Sequence, residues 1–84
     1  MEIKMSIDCY VEHITSERCL SGTTVIYYER EVRLFADYLA AEGITQTEEI
    51  TPLQARLFQA QRMEDGLRPG TIKRMLSALR SWCK

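Results

Sequence analysis

Apolar residues recur at three- and four-residue spacing in four segments of this chain, and no segment sustains a two-residue alternation. Such spacing places side chains on one face of an α-helix, whereas strands alternate every second residue. The 84 residues suffice for one domain with one modest core. The sequence therefore predicts a single all-α domain over residues 1–84, a compact bundle of four helices.

The first half of the chain predicts two of these helices. The first starts after Ser6 as N-cap and ends near Arg18, which leaves residues 1–5 as a frayed end. The second starts after Ser21 and runs to Gly43, a residue that commonly stops helices. The core faces are Ile7, Tyr10, Val11 and Ile14 in the first helix and Val25, Tyr28, Val32, Phe35 and Leu39 in the second.

The second half predicts two more helices. Thr51 can cap the third helix, Pro52 suits its first position, and Gln54 can complete a capping box. This helix ends near Glu64, and Pro69 opens the fourth helix after a turn at Asp65-Gly66. The core side of the fourth helix is Ile72, Met75, Leu76, Leu79 and Cys83, with Trp82 at its edge.

A weak internal repeat relates the two halves. Residues 20–25 align without gaps on residues 67–72, since both segments read Leu-x-x-x-Thr-apolar. The repeat predicts two helical hairpins packed across each other. Chance similarity between two amphipathic helix starts is the alternative. Farther along, Tyr28, Val32 and Phe35 match Met75, Leu79 and Trp82.

Charge is distributed unevenly along the chain. The net charge is −1, yet residues 67–84 carry five basic side chains and no acidic one, so residues 1–66 hold 6 basic and 12 acidic groups. A cationic helix on an acidic body would attract a polyanion and orient it along that helix. The basic side chains of this segment are Arg68, Lys73, Arg74, Arg80 and Lys84.

Polar side chains on two helices are candidates for DNA contact. At ~100° per residue, cations and small hydroxyls lie opposite the core side of the fourth helix, an arrangement that suits the major groove. A solvated cationic face would look similar. The first turns of the second helix offer hydroxyls and free N–H groups to phosphate, although ordinary capping explains the threonines equally well. The candidates are Lys73, Arg74, Ser77, Arg80, Ser81 and Lys84 on the fourth helix and Thr23, Thr24, Tyr27 and Arg30 on the second.

Other function classes have little support in the sequence. Cys9, Cys19 and Cys83 lack the paired spacing of a zinc site, and His13 has no cysteine partner at fixed spacing. No glycine-rich phosphate loop or nucleophile motif is present, and no apolar run approaches the ~18 residues of a membrane span. We therefore expect a cytoplasmic protein that is not an enzyme by itself and has no metal, cofactor, small-molecule ligand or membrane contact.

Several sequence blocks follow one another at a recognisable spacing. They are Leu20-Ser21-x-x-Thr24-x-x-x-Tyr28, then Gly43-Ile44, Ile50-Thr51-Pro52, and Gly66-Leu67-x-Pro69-x-Thr71-Ile72-x-Arg74-x-Leu76-Ser77-Ala78-Leu79-Arg80-Ser81-Trp82. This set resembles the N-terminal core-binding domain, also called the SAM-like domain, of the tyrosine recombinase or phage integrase family. The resemblance implies a bundle of four or five helices that clamps one side of a double-stranded recombination half-site.

The resemblance also implies particular site residues and partners. Ser21, Thr24 and Thr71 match the family's helix-start turns, and Lys73, Arg74, Ser77 and Arg80 match the DNA-facing side of its fourth helix. The family's catalytic residues lie in a separate domain that 84 residues cannot hold. A fragment of a longer integrase is thus favoured over a stand-alone homologue, and self-association on DNA is expected. The alternative is a helical protein–protein interaction module whose basic helix binds an acidic partner.

Overall fold

A computed structural model describes residues 1–16 and 21–82 of the chain. Four α-helices follow one another: α1 (Ile3–Ser16), α2 (Gly22–Ala41), α3 (Pro52–Glu64) and α4 (Pro69–Trp82), with a 3₁₀ turn at Thr47–Glu49 before α3. Among these residues there is no strand, only an isolated bridge between Glu2 and Gln46. The predicted all-α bundle is confirmed. The expected helix end near Arg18, together with Cys19, Leu20, Cys83 and Lys84, lies outside the described residues.

Local signals fix the predicted boundaries of α2 and α3. Ser21 is the N-cap of α2, and its side chain accepts a hydrogen bond from the Thr24 amide at 3.2 Å. At the start of α3, Gln54 Oε1 accepts from the Thr51 amide at 2.6 Å, as the capping box requires. Past the helix ends, Gly43 and Gly66 take φ of 79° and 90°, a region that favours glycine.

The predicted start of α1 after Ser6 is wrong, and the first residues are not frayed. Ile3 is 4% exposed because it lies four residues before Ile7 and extends the same apolar face. Its amide donates to the Thr45 carbonyl at 3.0 Å. Ser6 lies inside α1, where Oγ accepts a hydrogen bond from Trp82 Nε1 at 3.1 Å. Contacts with distant segments therefore stabilise helical residues that precede Ser6, so α1 starts closer to the N-terminus than the capping signal predicts.

The core lies where α2 meets the other three helices, and α3 also packs on α4. The Phe35 ring centroid is 5.1 Å from that of Phe58 on α3 and 6.2 Å from that of Trp82 on α4. Trp82, expected at the edge of the core, is 8% exposed, and Leu76 is only half-buried. No helix in the described ranges is long and apolar enough to cross a membrane. The fully enclosed apolar side chains include Ile7, Ile14, Val32, Leu39 and Met75.

Candidate nucleic-acid interface

The outer face of α4 carries exposed basic side chains. Lys73, Ser77 and Arg80 share the side opposite the buried Met75 and Leu79, and all three are exposed. Arg74 is also exposed and flanks this side toward α2. Within residues 1–16 and 21–82, Lys73, Arg74 and Arg80 form no ion pair. Their charges are therefore not neutralised by the described carboxylates.

Arginines elsewhere in the bundle contrast with those of α4. Arg33 contacts Asp8 at 3.0 Å and Glu29 at 2.9 Å, and these hydrogen bonds raise the pKa of its guanidinium. Arg62 lies 4.0 Å from Glu31 and 3.9 Å from Asp65. Because these two cations have carboxylate neighbours, their charges are partly neutralised, whereas those of Lys73, Arg74 and Arg80 are not.

Tyr27 joins the first turns of α2 and α4. Its hydroxyl donates to the Thr71 carbonyl at 3.5 Å. The Arg74 guanidinium carbon lies 4.8 Å from the ring centroid, and that of Arg30 lies 5.5 Å from it. Burial raises the pKa of the Tyr27 phenol and the Glu31 charge adds to this, so the phenol stays neutral at physiological pH. The structure thus brings together the candidates Tyr27, Arg30, Thr71 and Arg74.

Hydroxyl groups at the start of α2 have structural partners. The Ser21 and Thr24 hydroxyl oxygens are 2.8 Å apart, and Ser21 also caps the Thr24 amide. Thr23 is exposed on the same turn. Capping therefore accounts for the positions of Ser21 and Thr24 without a ligand.

Ser81, next to Arg80 in the chain, contacts another helix of the bundle. It is half-buried, and its hydroxyl accepts a hydrogen bond from Tyr10 Oη on α1 at 2.9 Å. This contact faces the bundle and not the row formed by Lys73, Ser77 and Arg80. Lys84, the remaining candidate that the sequence assigned to the fourth helix, lies outside the described residues.

Two residues of α3 border the basic helix, although they are not among the candidates predicted from the sequence. Arg56 and Gln59 line a groove between α3 and α4 together with Leu76 and Arg80. Gln59 also lines the neighbouring groove, which reaches Lys73. Their three-residue spacing puts both on one side of α3, a signal that would have identified them once α4 was chosen.

A buried acidic residue, Glu31, is also absent from the candidates predicted from the sequence. Glu31 is 1% exposed, and in the described part of the chain neither its Oε2 atom nor Arg62 Nε has a hydrogen-bond partner. Arg30 lies 3.8 Å from the Glu31 carboxylate. The position follows Tyr28 by three residues and precedes Phe35 by four, so the helical spacing already places Glu31 on the core face.

Comparison with known proteins supplies the family. The sequence model of the phage integrase N-terminal SAM-like domain matches residues 7–84. The chain belongs to this family. The family expected from the sequence blocks is therefore confirmed. No solved structure gives a significant match.

The phage integrase N-terminal SAM-like domain has relatives among bacterial recombinases. Tyrosine recombinase XerC of Oceanobacillus iheyensis is 32% identical over 81 residues, which cover 96% of this chain and 27% of that protein. The Bacillus subtilis protein of the same name is 32% identical over 82 residues, covering 98% of this chain and 27% of that protein. The Proteus mirabilis protein is 31% identical over 80 residues, covering 95% of this chain and 26% of that protein. The chain thus spans about a quarter of the length of these relatives.

In this SAM-like domain, the described residues hold no group of three His, Cys, Asp or Glu side chains that could bind a metal. The exposed face of α4 offers cationic side chains and one short hydroxyl on a single helix. Guanidinium and ammonium groups bind phosphate oxygens, and arginine can also bind a guanine edge. The arrangement therefore fits an anionic polymer better than a small neutral ligand.

Proposed function

We propose that this chain is a DNA-binding domain of a site-specific tyrosine recombinase, non-catalytic by itself. It clamps one side of a double-stranded recombination half-site with α4 and the first turns of α2, and so contributes to DNA integration and recombination in the cytoplasm. Family membership supports this proposal, and several similar proteins are named tyrosine recombinases. Neighbouring copies would associate when bound to DNA.

The exposed cations of α4 carry the proposal. Lys73, Arg74 and Arg80 lack ion-pair partners in the described parts of the chain, and the short Ser77 side chain lies between them. A small residue at the centre of the face lets the helix backbone approach a groove closely. The longer cations then reach phosphates at the groove edges or a guanine below.

Binding by so few cations is expected to be weak and sensitive to salt. Non-specific dissociation constants at physiological salt are typically on the order of 10⁻⁴–10⁻⁶ M. If each of the three cations releases one counterion, log affinity falls with log salt at a slope of about −3.

The test is a titration of short duplex DNA with the domain, followed by fluorescence anisotropy at low and moderate salt. Arg74→Ala and Arg80→Ala should each weaken binding while the domain still unfolds cooperatively on heating, which shows that the bundle remains folded. Lys4→Ala is the matched control, because it removes an exposed cation from α1. If both α4 variants bind DNA as tightly as the Lys4→Ala control, α4 is not part of the interface.

A helical protein–protein interaction module is the second candidate. Exposed apolar side chains at the start of α1 favour it, since Met1 and Met5 are each 58% exposed. Such a module would bind an acidic partner through α4 and associate with itself through α1. Concentration-dependent dimerisation without any DNA response, measured by sedimentation, would support this candidate over DNA binding.

A further inference from the structure

Two arginines from different helices meet at one aromatic ring. Arg74 of α4 and Arg30 of α2 both lie within cation–π distance of the Tyr27 ring, at 4.8 and 5.5 Å from its centroid. Arg30 is also 3.8 Å from the buried Glu31 carboxylate. Two like charges repel each other, and the negative potential of the ring face and of Glu31 offsets this repulsion.

We infer that Tyr27 is a positioning residue that holds Arg30 and Arg74 together as one binding site for phosphate groups of the DNA backbone. The inference rests on the proposed function, because it specifies how the α2 and α4 contributions to that interface are joined. A guanidinium that stacks on a ring keeps its N–H edge free in the guanidinium plane, where it can bind phosphate oxygens with two parallel hydrogen bonds.

Preorganisation is the physical advantage of this arrangement. Each long side chain that becomes ordered on binding costs free energy, and the ring orders both arginines before DNA arrives. The phenol adds no negative charge that would repel phosphate, because the ordinary pKa of a tyrosine, near 10, already lies well above physiological pH and burial raises it further. The ring then supports both cations while remaining neutral.

The ring, and not the hydroxyl, performs this role. The Tyr27 hydroxyl already donates to the Thr71 carbonyl, and at 3.5 Å this bond is long and weak. Tyr27→Phe keeps the ring and should retain DNA affinity within about twofold. Tyr27→Leu removes the ring and should weaken binding about threefold, because the arginine side chains must then become ordered when DNA binds.

The first experiment needs no DNA. Side-chain proton resonances of Arg30 and Arg74 are recorded by NMR in the parent protein and in both Tyr27 variants. Ring-current shifts should be present in the parent and in Tyr27→Phe and absent in Tyr27→Leu. Unshifted resonances of both arginines in the parent would overturn the inference, whatever the protein binds.

The second experiment measures coupling in DNA binding. Arg74→Ala should cost less affinity in the Tyr27→Leu background than in the parent, whereas the matched control Lys73→Ala should cost the same in both, because Lys73 does not contact the ring. If Tyr27→Phe loses as much affinity as Tyr27→Leu, the hydroxyl acts directly and the inference fails. The proposed function itself fails if neither Lys73→Ala nor Arg80→Ala weakens DNA binding. If these two variants do weaken binding but the coupling between Tyr27 and Arg74 is absent, only the present inference fails.

A further comparison leaves Tyr27 in place and so avoids any effect of its replacement on folding. Arg30→Ala, Arg74→Ala and the double variant are compared for DNA affinity. A joint site predicts that the double variant loses less affinity than the product of the two single losses, because either single variant already disrupts the site. Independent contacts would give the full product and would contradict the inference.

Discussion

Ser6→Ala is expected to destabilise the protein through its effect on Trp82. The indole Nε1 of Trp82 donates to Ser6 Oγ at 3.1 Å, and the residue is only 8% exposed. A buried donor left without an acceptor costs about 1–3 kcal/mol. Alanine inside a helix offsets this by about 0.5 kcal/mol relative to serine. The net loss of about 1 kcal/mol should lower the unfolding temperature of a domain of this size by about 4–8 °C.

The assay follows thermal unfolding by circular dichroism and by fluorescence, since Trp82 is the single tryptophan. Ser16→Ala in the same helix is the matched control. Its hydroxyl is exposed and donates to the Glu12 carbonyl at 2.7 Å within α1. Because no buried group loses a partner, this control should unfold at the parent temperature or slightly above it.

A double-mutant cycle separates this explanation from helix capping. A serine that caps a helix would also cost about 1 kcal/mol when replaced by alanine. In a Trp82→Phe background the two explanations differ, because phenylalanine has no N–H group to leave unpaired. Ser6→Ala should then be neutral or slightly stabilising. An equal loss in both backgrounds would refute the Ser6–Trp82 bond and restore a helix start after Ser6.

Three further outcomes are expected. Glu31→Met removes a buried carboxylate while Arg62 keeps its contact with Asp65. The free energy of unfolding in urea should therefore be within about 1 kcal/mol of the parent value or above it, and a loss of more than about 3 kcal/mol would contradict this. Gly66→Ala should destabilise the protein by about 1–2 kcal/mol, because φ at Gly66 is 90°. The control Gly70→Ala lies inside α4 with open space at the added Cβ and should stabilise the protein by about 0.5–1 kcal/mol; equal effects of the two variants in calorimetry would contradict this prediction. Because the folded-state pKa of Tyr27 is raised, its contribution to stability is present below the unfolded pKa near 10 and is lost as pH rises through the folded pKa. Tyr27→Phe should reduce that alkaline loss, and an unchanged pH profile would count against the raised pKa.

Helices bounded by local signals could be predicted from the sequence. The Thr51-Pro52-x-Gln54 pattern marks the start of α3, and Gly66 marks its end, because capping and positive φ are properties of neighbouring residues. The start of α1 could not be predicted in the same way. Helical spacing does extend the apolar face back to Ile3, but it competes with a capping signal at Ser6. The bond between the Ile3 amide and the Thr45 carbonyl, which joins Ile3 to a segment about forty residues away, is not encoded by that spacing.

Some residues of the candidate site could likewise be predicted from the sequence, and others could not. Helical spacing identifies the exposed face of α4, so Lys73, Ser77 and Arg80 could be selected from the sequence. The spacing cannot reveal that Arg74 reaches the Tyr27 ring, because that contact depends on how closely α2 approaches α4. Nor can it reveal that Ser81, on the flank of the helix, bonds to Tyr10.

The net charge of −1 is a poor guide to how this domain meets a polyanion. The bundle measures 33 × 30 × 17 Å, whereas charges in physiological salt are screened over about 8 Å. DNA lying on α4 then experiences mainly the unpaired cations of that helix, and the acidic body is largely screened. At about 0.01 M salt the screening length grows to about 30 Å, and the DNA also experiences the carboxylates of α1 and α2. The gain in affinity on lowering salt should therefore level off in this range, which anisotropy titrations can measure, whereas a uniformly basic domain would continue to gain along a straight line.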